Sequence, residues 1–141
     1  MRFEILMADD NPGDVRLARE SLRGARIDCN LHAVGDGAEA LAYLRRQGAF
    51  ADAPRPDLVL VDLNMPRMDG HELLEVIKND PDLRRIPVVV LTHSEAAQDV
   101  HQAYDRHANS YVVKPVHLEH FAHVMKSVED FWLSTAVLPP T

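Results

Sequence analysis

The chain has one cysteine, no long apolar run and no excess of basic residues, and each shortage excludes a class of protein. Cys29 has no second cysteine to pair with, which rules out an intramolecular disulfide and fits a reducing compartment. No apolar run approaches the roughly 20 residues that cross a bilayer, and no signal peptide is visible. The 15 basic and 22 acidic residues give a net charge of -7, which argues against nucleic acid and, more weakly, against anionic membranes as partners. We therefore expect a cytoplasmic protein that binds neither nucleic acid nor membranes.

Short apolar segments alternate with amphipathic ones along the 141 residues, a length that suits one domain. The pattern predicts strands over 3–8, 28–34, 57–62, 87–92 and 110–113. It predicts helices from Asp14 to a stop at Gly24, and over 38–47, 70–79, 95–106 and 117–133, with Ser94 as the cap of the fourth. Strands joined by helices form a parallel α/β sheet. We expect one domain with a core at about 3–133 and a tail at 134–141, without an output domain.

Polar residues stand where four of these strands end. Asp9 and Asp10 follow the first strand, Asp62 the third, Thr92 closes the fourth, and Lys114 follows the fifth. Parallel strands end at one edge of the sheet, where α/β proteins bind ligands. Three close carboxylates repel unless a cation intervenes, and Mg²⁺ beside a lysine and a hydroxyl is typical of a phosphoryl site. Taken singly, such residues are more often solvated loop acids or helix caps, strand-end caps or surface lysines than parts of a site.

The joint pattern resembles the receiver domain of two-component response regulators. The resemblance spans 3 to about 132, and the residues that carry it are Asp9, Asp10, the segment from Asp62 to Gly70, Thr92, Tyr111, Lys114 and Pro115. It implies a flavodoxin-like (βα)5 fold with strand order 2-1-3-4-5.

The resemblance implies a role for each acid. Asp62 would accept a phosphoryl group from the phosphohistidine of a partner histidine kinase. Asp10, Asp62 and the backbone carbonyl of Asn64 would bind Mg²⁺ directly, and Asp9 would bind it through water. The protein would then be a phosphoacceptor that catalyses its own phosphorylation and dephosphorylation, not an enzyme in the usual sense.

The same resemblance assigns the residues around the acids. Lys114 would pair with the phosphoryl oxygens, and its bond to Pro115 would be cis, a form that proline makes accessible. Thr92 and Tyr111 would be the switch pair that responds to the added charge. The response would alter the surface formed by the fourth helix, fifth strand and fifth helix, which would bind a protein partner or serve a relay.

A narrower resemblance is to the small response regulators paired with bacterial phytochromes, which are single receiver domains that typically dimerise. It rests on the segment from Asn11 to Leu17, the loop around Pro54 and Pro56, the segment from Ala108 to Tyr111, and the run from Phe131 to Leu133. It implies a bacterial phytochrome as the kinase. It also implies a homodimer through the fourth helix, fifth strand, fifth helix and tail, with docking of the terminal apolar residues on their own domain as the alternative.

Two histidines depart from the common receiver pattern. His93 follows the switch threonine, where it could narrow access to Asp62 or point to solvent; we group it with Asn64 and Ser94 as residues that tune access and dephosphorylation. His107 replaces a common glycine at the end of the fourth helix, a position suited to positive φ. Three further histidines repeat at three-residue spacing on the last helix and give a weaker zinc hypothesis: His117, His120 and His123.

Three alternatives remain open at the level of the sequence. A Mg²⁺-dependent phosphatase with an aspartyl phosphate would need a second acid two residues after Asp62, where Asn64 stands. A flavin phosphate would be repelled by the acidic loop after the first strand. If the acidic site takes no phosphoryl group, the chain would be a constitutive dimeric interaction module.

Overall fold

A computed structural model describes residues 2–24 and 27–140 and shows a five-stranded, fully parallel sheet in the order β2-β1-β3-β4-β5. The strands are β1 (Phe3–Ala8), β2 (Cys29–Val34), β3 (Leu58–Val61), β4 (Val88–Thr92) and β5 (Ser110–Val113). The predicted flavodoxin-like α/β fold and its strand order are confirmed.

In the described residues, four α-helices connect the strands and a fifth follows β5, and together they cover both faces of the sheet. They are α1 (Pro12–Arg23), α2 (Gly37–Leu44), α3 (Gly70–Asn79), α4 (Ala97–Asp105) and α5 (Leu118–Glu129). A 3₁₀ turn at Gly48–Phe50 follows α2, and a π-helical segment at Asp130–Thr135 extends α5.

The two faces of the sheet have separate cores, because successive strand residues point to opposite sides. Leu6 and Ala8 of β1 pack on the side of α2, α3 and α4, whereas Ile5 and Met7 pack on the side of α1 and α5. Burial on both faces explains why the central strands are continuous apolar runs rather than alternating ones. No helix in the described part of the chain combines the length and apolar character needed to cross a bilayer.

Two helices are capped differently from what the sequence pattern predicts. α1 is capped by Asn11, whose side chain accepts a hydrogen bond from the Asp14 backbone N–H, so Asp14 lies inside the first turn instead of capping it. α4 begins at Ala97 with Ala96 at the cap position and no side-chain cap. The Ser94 hydroxyl, expected to cap α4, donates instead to Asp99 Oδ2 at 2.5 Å.

Two helices end earlier than expected. α2 stops at Leu44 instead of residue 47, because the backbone turns at Arg46, which has a φ of 53°. The α-helical part of α5 ends at Glu129 instead of residue 133, and the chain continues with π-type hydrogen bonding. The apolar stripe of α5 predicted a helix to Leu133 because it does not distinguish a π-helical turn from an α-helical one.

Candidate functional site

Lys114 lies at the centre of the carboxyl edge of the sheet, with its side chain fully buried. Its ammonium donates to three carboxylates, at 2.5 Å to Asp9 Oδ2, 2.8 Å to Asp62 Oδ2 and 2.9 Å to Asp14 Oδ2. Burial alone lowers the pKa of Lys114, but the hydrogen bonds to Asp62, Asp9 and Asp14 outweigh it and raise that pKa above its ordinary value. The Lys114 side chain is therefore positively charged and held in position by its three partners.

Asp9, Asp10 and Asp62 can each place a carboxylate oxygen within 4.8 Å of the other two. Asp9 and Asp62 are buried and Asp10 is exposed. Burial, opposed by the hydrogen bond from Lys114, raises the pKa of Asp9. Three neighbouring acids carry more negative charge than one lysine balances, and hard carboxylate oxygens suit Mg²⁺. The donor set therefore fits a divalent cation.

Within the ranges that the structure describes, this is the only group of three or more histidine, cysteine or acidic side chains arranged for a metal ion. The predicted zinc site at His117, His120 and His123 does not form, although the first two rings contact each other edge to face with centroids 5.8 Å apart.

Backbone hydrogen bonds orient the acids. The Asn11 N–H donates to Asp9 Oδ1 at 2.9 Å, and the Asn64 N–H donates to Asp62 Oδ1 at 3.2 Å. The loop after Asp62 folds back tightly, with the Gly70 N–H donating to the Leu63 carbonyl at 3.0 Å. A Cβ at Gly70 would overlap the Asp62 carbonyl oxygen and lie 2.7 Å from Leu63 Cα. A glycine is therefore required for the loop to pack behind the phosphoacceptor candidate.

The two switch candidates are linked through Ser94. Thr92 is fully buried, and its Oγ1 accepts from the Ser94 N–H at 3.5 Å. The Tyr111 hydroxyl donates to the Ser94 carbonyl at 2.9 Å. Burial raises the pKa of Tyr111, so the phenol stays a hydrogen-bond donor. The loop between β4 and α4 therefore contacts both residues.

A second network anchors the same loop to α3. Asp99 accepts from the Ser94 hydroxyl and lies 3.2 Å from Nε2 of His71. The hydrogen bond from Ser94, followed by that from His71, holds the pKa of Asp99 below its ordinary value. Sequence reasoning did not single out His71, because a lone histidine near a helix start carries no signal of its tertiary partner.

Asp14 is a second residue of the site that the sequence pattern did not reveal, because it resembles a helix cap in sequence. Its position four residues after Asp10, in the first turn of a helix, could have pointed back to the sheet edge.

His93 is partly exposed, but its ring is held by two contacts. Its side chain is 48% exposed, with Nε2 3.3 Å from Asp14 Oδ2 and Nδ1 3.0 Å from the Lys114 carbonyl oxygen.

The expected cis bond between Lys114 and Pro115 is wrong, because residues 2–24 and 27–140 contain no cis peptide bond. The trans form is intrinsically favoured by about 0.5–1 kcal/mol before proline, and here the Lys114 carbonyl has a partner in His93. His107 lies just after the C-terminal end of α4. Its backbone has a φ of 69°, the positive value that its position suggested.

A family model, the response regulator receiver domain, matches residues 5–126. The chain belongs to this family. Receiver domains are phosphoacceptors and not classical enzymes.

Three relatives are similar over nearly the whole chain. Response regulator Rcp1 of Synechocystis is 44% identical over 96% of this chain and 92% of its own length. Its Mn²⁺-bound crystal structure has a TM-score of 0.93 at 43% identity, covering 98% of this chain and 99% of that one. The phosphorylated cyanobacterial phytochrome response regulator RcpA has a TM-score of 0.96 at 46% identity, covering 99% and 100%. Response regulator RPA3017, in red light signalling of R. palustris, has a TM-score of 0.90 at 36% identity, covering 99% of each chain.

These similarities confirm the predicted receiver domain and its resemblance to phytochrome response regulators. They also show that a receiver domain of this kind binds a divalent metal, since one relative carries Mn²⁺.

Proposed function

We propose that this protein is a response regulator that accepts a phosphoryl group from a histidine kinase onto Asp62 in a Mg²⁺-dependent reaction. The observation that carries the proposal is the 2.8 Å contact between Lys114 Nζ and Asp62 Oδ2, inside a group of acids arranged for a cation. A fixed ammonium and a metal-binding acidic group around one carboxylate are the parts that phosphoryl transfer needs.

Asp10, Asp62 and the Asn64 carbonyl would hold the Mg²⁺ ion directly, with Asp9 acting through water. When bound, the ion offsets the charge of the acids and of the phosphoryl oxygens. Asp62 supplies the nucleophilic oxygen, the P–N bond of the donor phosphohistidine breaks as the P–O bond forms, and the leaving imidazole keeps the electron pair and takes up a proton. Lys114 stabilises the charge on the phosphoryl oxygens.

The acyl phosphate would act on the loop after β4. It replaces the single negative charge of the Asp62 carboxylate with the charge of about -2 of an acyl phosphate, a gain of about one negative unit beside Thr92, whose hydroxyl would turn toward the phosphoryl oxygens. Because Ser94 contacts both Thr92 and Tyr111, a shift of this loop also releases the Tyr111 hydroxyl. His93, Asn64 and Ser94 border the site and would tune donor access and dephosphorylation.

The surface formed by α4, β5, α5 and the tail would carry the output. In the described part of the chain the exposed large apolar side chains all lie from α4 onward: Tyr104, Val116, Leu118, Phe131 and Val137. Their concentration in this part of the chain favours a protein partner. We infer a homodimer through α4, β5, α5 and the tail, which sedimentation of the purified protein at several concentrations would test.

A bacterial phytochrome is the kinase we propose. Two relatives support it: RcpA is a phytochrome response regulator, and RPA3017 belongs to red light signalling. The input would then be light, and the output either the altered surface or onward transfer of the phosphoryl group in a relay.

The test is phosphoryl incorporation from a radiolabelled phytochrome histidine kinase. Wild-type protein with Mg²⁺ is compared with Asp62→Asn, with an EDTA arm, and with Asp28→Asn as a matched control at an exposed carboxylate. We expect label on wild type and Asp28→Asn only, and only with Mg²⁺. Label only from other kinases would remove the phytochrome link. No label from any donor, including phosphoramidate, would overturn the proposal and favour a constitutive interaction module.

A further inference from the structure

Asp14 is the one acid bound to Lys114 that lies outside the metal-binding group. An ammonium has three N–H donors and no acceptor, and the three partners of Lys114 are Asp9, Asp14 and Asp62. The candidate metal group contains Asp9 and Asp62, together with Asp10, but not Asp14.

This difference matters because phosphorylation changes the surroundings of the other two partners. One carboxylate oxygen of Asp62 would become the bridging oxygen of the new P–O bond, and Asp9 would help to hold the divalent ion through water. The hydrogen bond from Lys114 to Asp14, 2.9 Å long and buried, competes with neither event.

We propose that Asp14 is a positioning residue that holds the Lys114 ammonium while Asp62 and Asp9 change partners, and that His93 holds Asp14. The inference rests on the proposed phosphoryl transfer to Asp62. It assigns to Asp14 the task of keeping a donor aimed at the incoming phosphoryl oxygens.

The surroundings of Asp14 suit this task. Its backbone N–H is bonded to the Asn11 side chain at 3.1 Å, which fixes it in the first turn of α1. Nε2 of His93 contacts Asp14 Oδ2, the oxygen that also accepts from the Lys114 ammonium. Nδ1 of His93 contacts the backbone carbonyl oxygen of Lys114. His93 therefore links Asp14 of α1 to the backbone carbonyl of Lys114, while Asp14 itself binds the Lys114 ammonium.

The experiment measures phosphorylation by phosphoramidate at saturating Mg²⁺ in the full chain. The variants are Asp14→Ala, Asp14→Asn, His93→Ala and the double variant Asp14→Ala/His93→Ala. Glu20→Ala removes one negative charge from the same helix without touching the site, since Glu20 pairs with Arg16 on the surface. Measuring the rate at several phosphoramidate concentrations gives both the maximal rate and the concentration at half-saturation. The affinity for Mg²⁺ is measured in a separate titration.

We expect Asp14→Ala to lower the maximal rate about tenfold, the size of one charge-assisted hydrogen bond. Mg²⁺ affinity should change by less than about threefold, since Asp14 is not a ligand. Asp14→Asn retains an acceptor oxygen and should recover most of the rate. The double variant should be no slower than Asp14→Ala alone, because His93 acts through Asp14.

A second readout needs no phosphorylation. In Mg²⁺-free protein, the Lys114 ammonium should give a slowly exchanging side-chain NMR signal that Asp14→Ala broadens and Glu20→Ala leaves unchanged.

Three results would overturn the inference: an unchanged rate in Asp14→Ala, a faster rate, which would make Asp14 a competitor of the phosphoryl oxygens, or additive effects of the two substitutions. If wild type itself takes no phosphoryl group, the proposed function fails, and the NMR readout alone then decides whether Asp14 positions Lys114.

Discussion

Lys114 Nζ lies 2.8 Å from Asp62 Oδ2, and the Lys114 side chain is fully buried. The lysine at the end of β5 and the carboxylate at the end of β3 thus form a buried ion pair, although 52 positions separate them in the chain. Breaking such a pair leaves uncompensated buried charge, which is far more destabilising than losing a surface pair.

Lys114→Met should therefore lower the free energy of unfolding by about 3–5 kcal/mol in EDTA. Urea denaturation measures it, with Lys126→Met on the exposed side of α5 as the control. Adding Asp9→Asn to Lys114→Met should restore part of the stability, because it removes one buried acid. If Lys114→Met is as stable as wild type, the three carboxylates around Lys114 do not all carry a negative charge at once, and the prediction is wrong.

The convergence of these residues could be predicted, because parallel topology brings all strand ends to one edge. β1 and β5 have the bounds expected from their apolar runs, and α3 begins and ends where expected, since Gly70 follows the capping Asp69 and Asp80-Pro81 breaks the helix. Local chemistry decides these elements, and local chemistry is visible in a sequence.

The features that escaped prediction depend on tertiary partners. Asp14 as a helix cap and Asp14 as a ligand of Lys114 look the same in sequence, and only the packing of α1 against the sheet edge distinguishes them. Ser94 was expected to cap α4, but Asp99, which His71 also contacts, captures its hydroxyl. The trans bond before Pro115 likewise differs from what the family resemblance implied.

The glycine behind Asp62 offers a test of the tight loop. Gly70→Ala should destabilise the protein by about 1–3 kcal/mol, because the new methyl group overlaps backbone that cannot yield as a side chain would. It should also slow phosphorylation by displacing Asp62. Gly24→Ala is the matched control, since its Cβ would meet nothing within 4 Å and its φ is -88°. Equal stability of the two variants would contradict the close approach at Gly70.

Asp36, which caps α2, should make stability depend on pH in the acid range. Burial alone would raise the pKa of Asp36, but the hydrogen bonds from the Glu39 N–H and from Arg67 outweigh it and lower that pKa. A carboxyl whose folded pKa is depressed stabilises the fold above its unfolded pKa of about 4. That contribution is lost as the pH falls through the lower folded value.

Asp36→Asn should accordingly be less stable than wild type at pH 6, by about 2 kcal/mol for a buried charged hydrogen-bond partner. The difference between the two proteins should shrink as the pH is lowered from about 4. Urea denaturation at pH 6, 5, 4 and 3 measures it, with Asp52→Asn at an exposed turn as the control. A difference that stays constant over this range would show that the Asp36 charge has no part in it.

His107 should be replaceable by glycine with a gain in stability. Its φ of 69° is a left-handed conformation in which a side chain with a Cβ is strained, and glycine has no such strain. We expect His107→Gly to stabilise the protein by about 0.5–1 kcal/mol, after allowance for the greater freedom of the unfolded glycine chain. His101→Gly, at an exposed position inside α4, should have the opposite sign and cost about 1 kcal/mol. Thermal or urea unfolding of both variants decides the matter, and a loss of stability in both would mean that the His107 side chain contributes more through its contacts than its backbone strain removes.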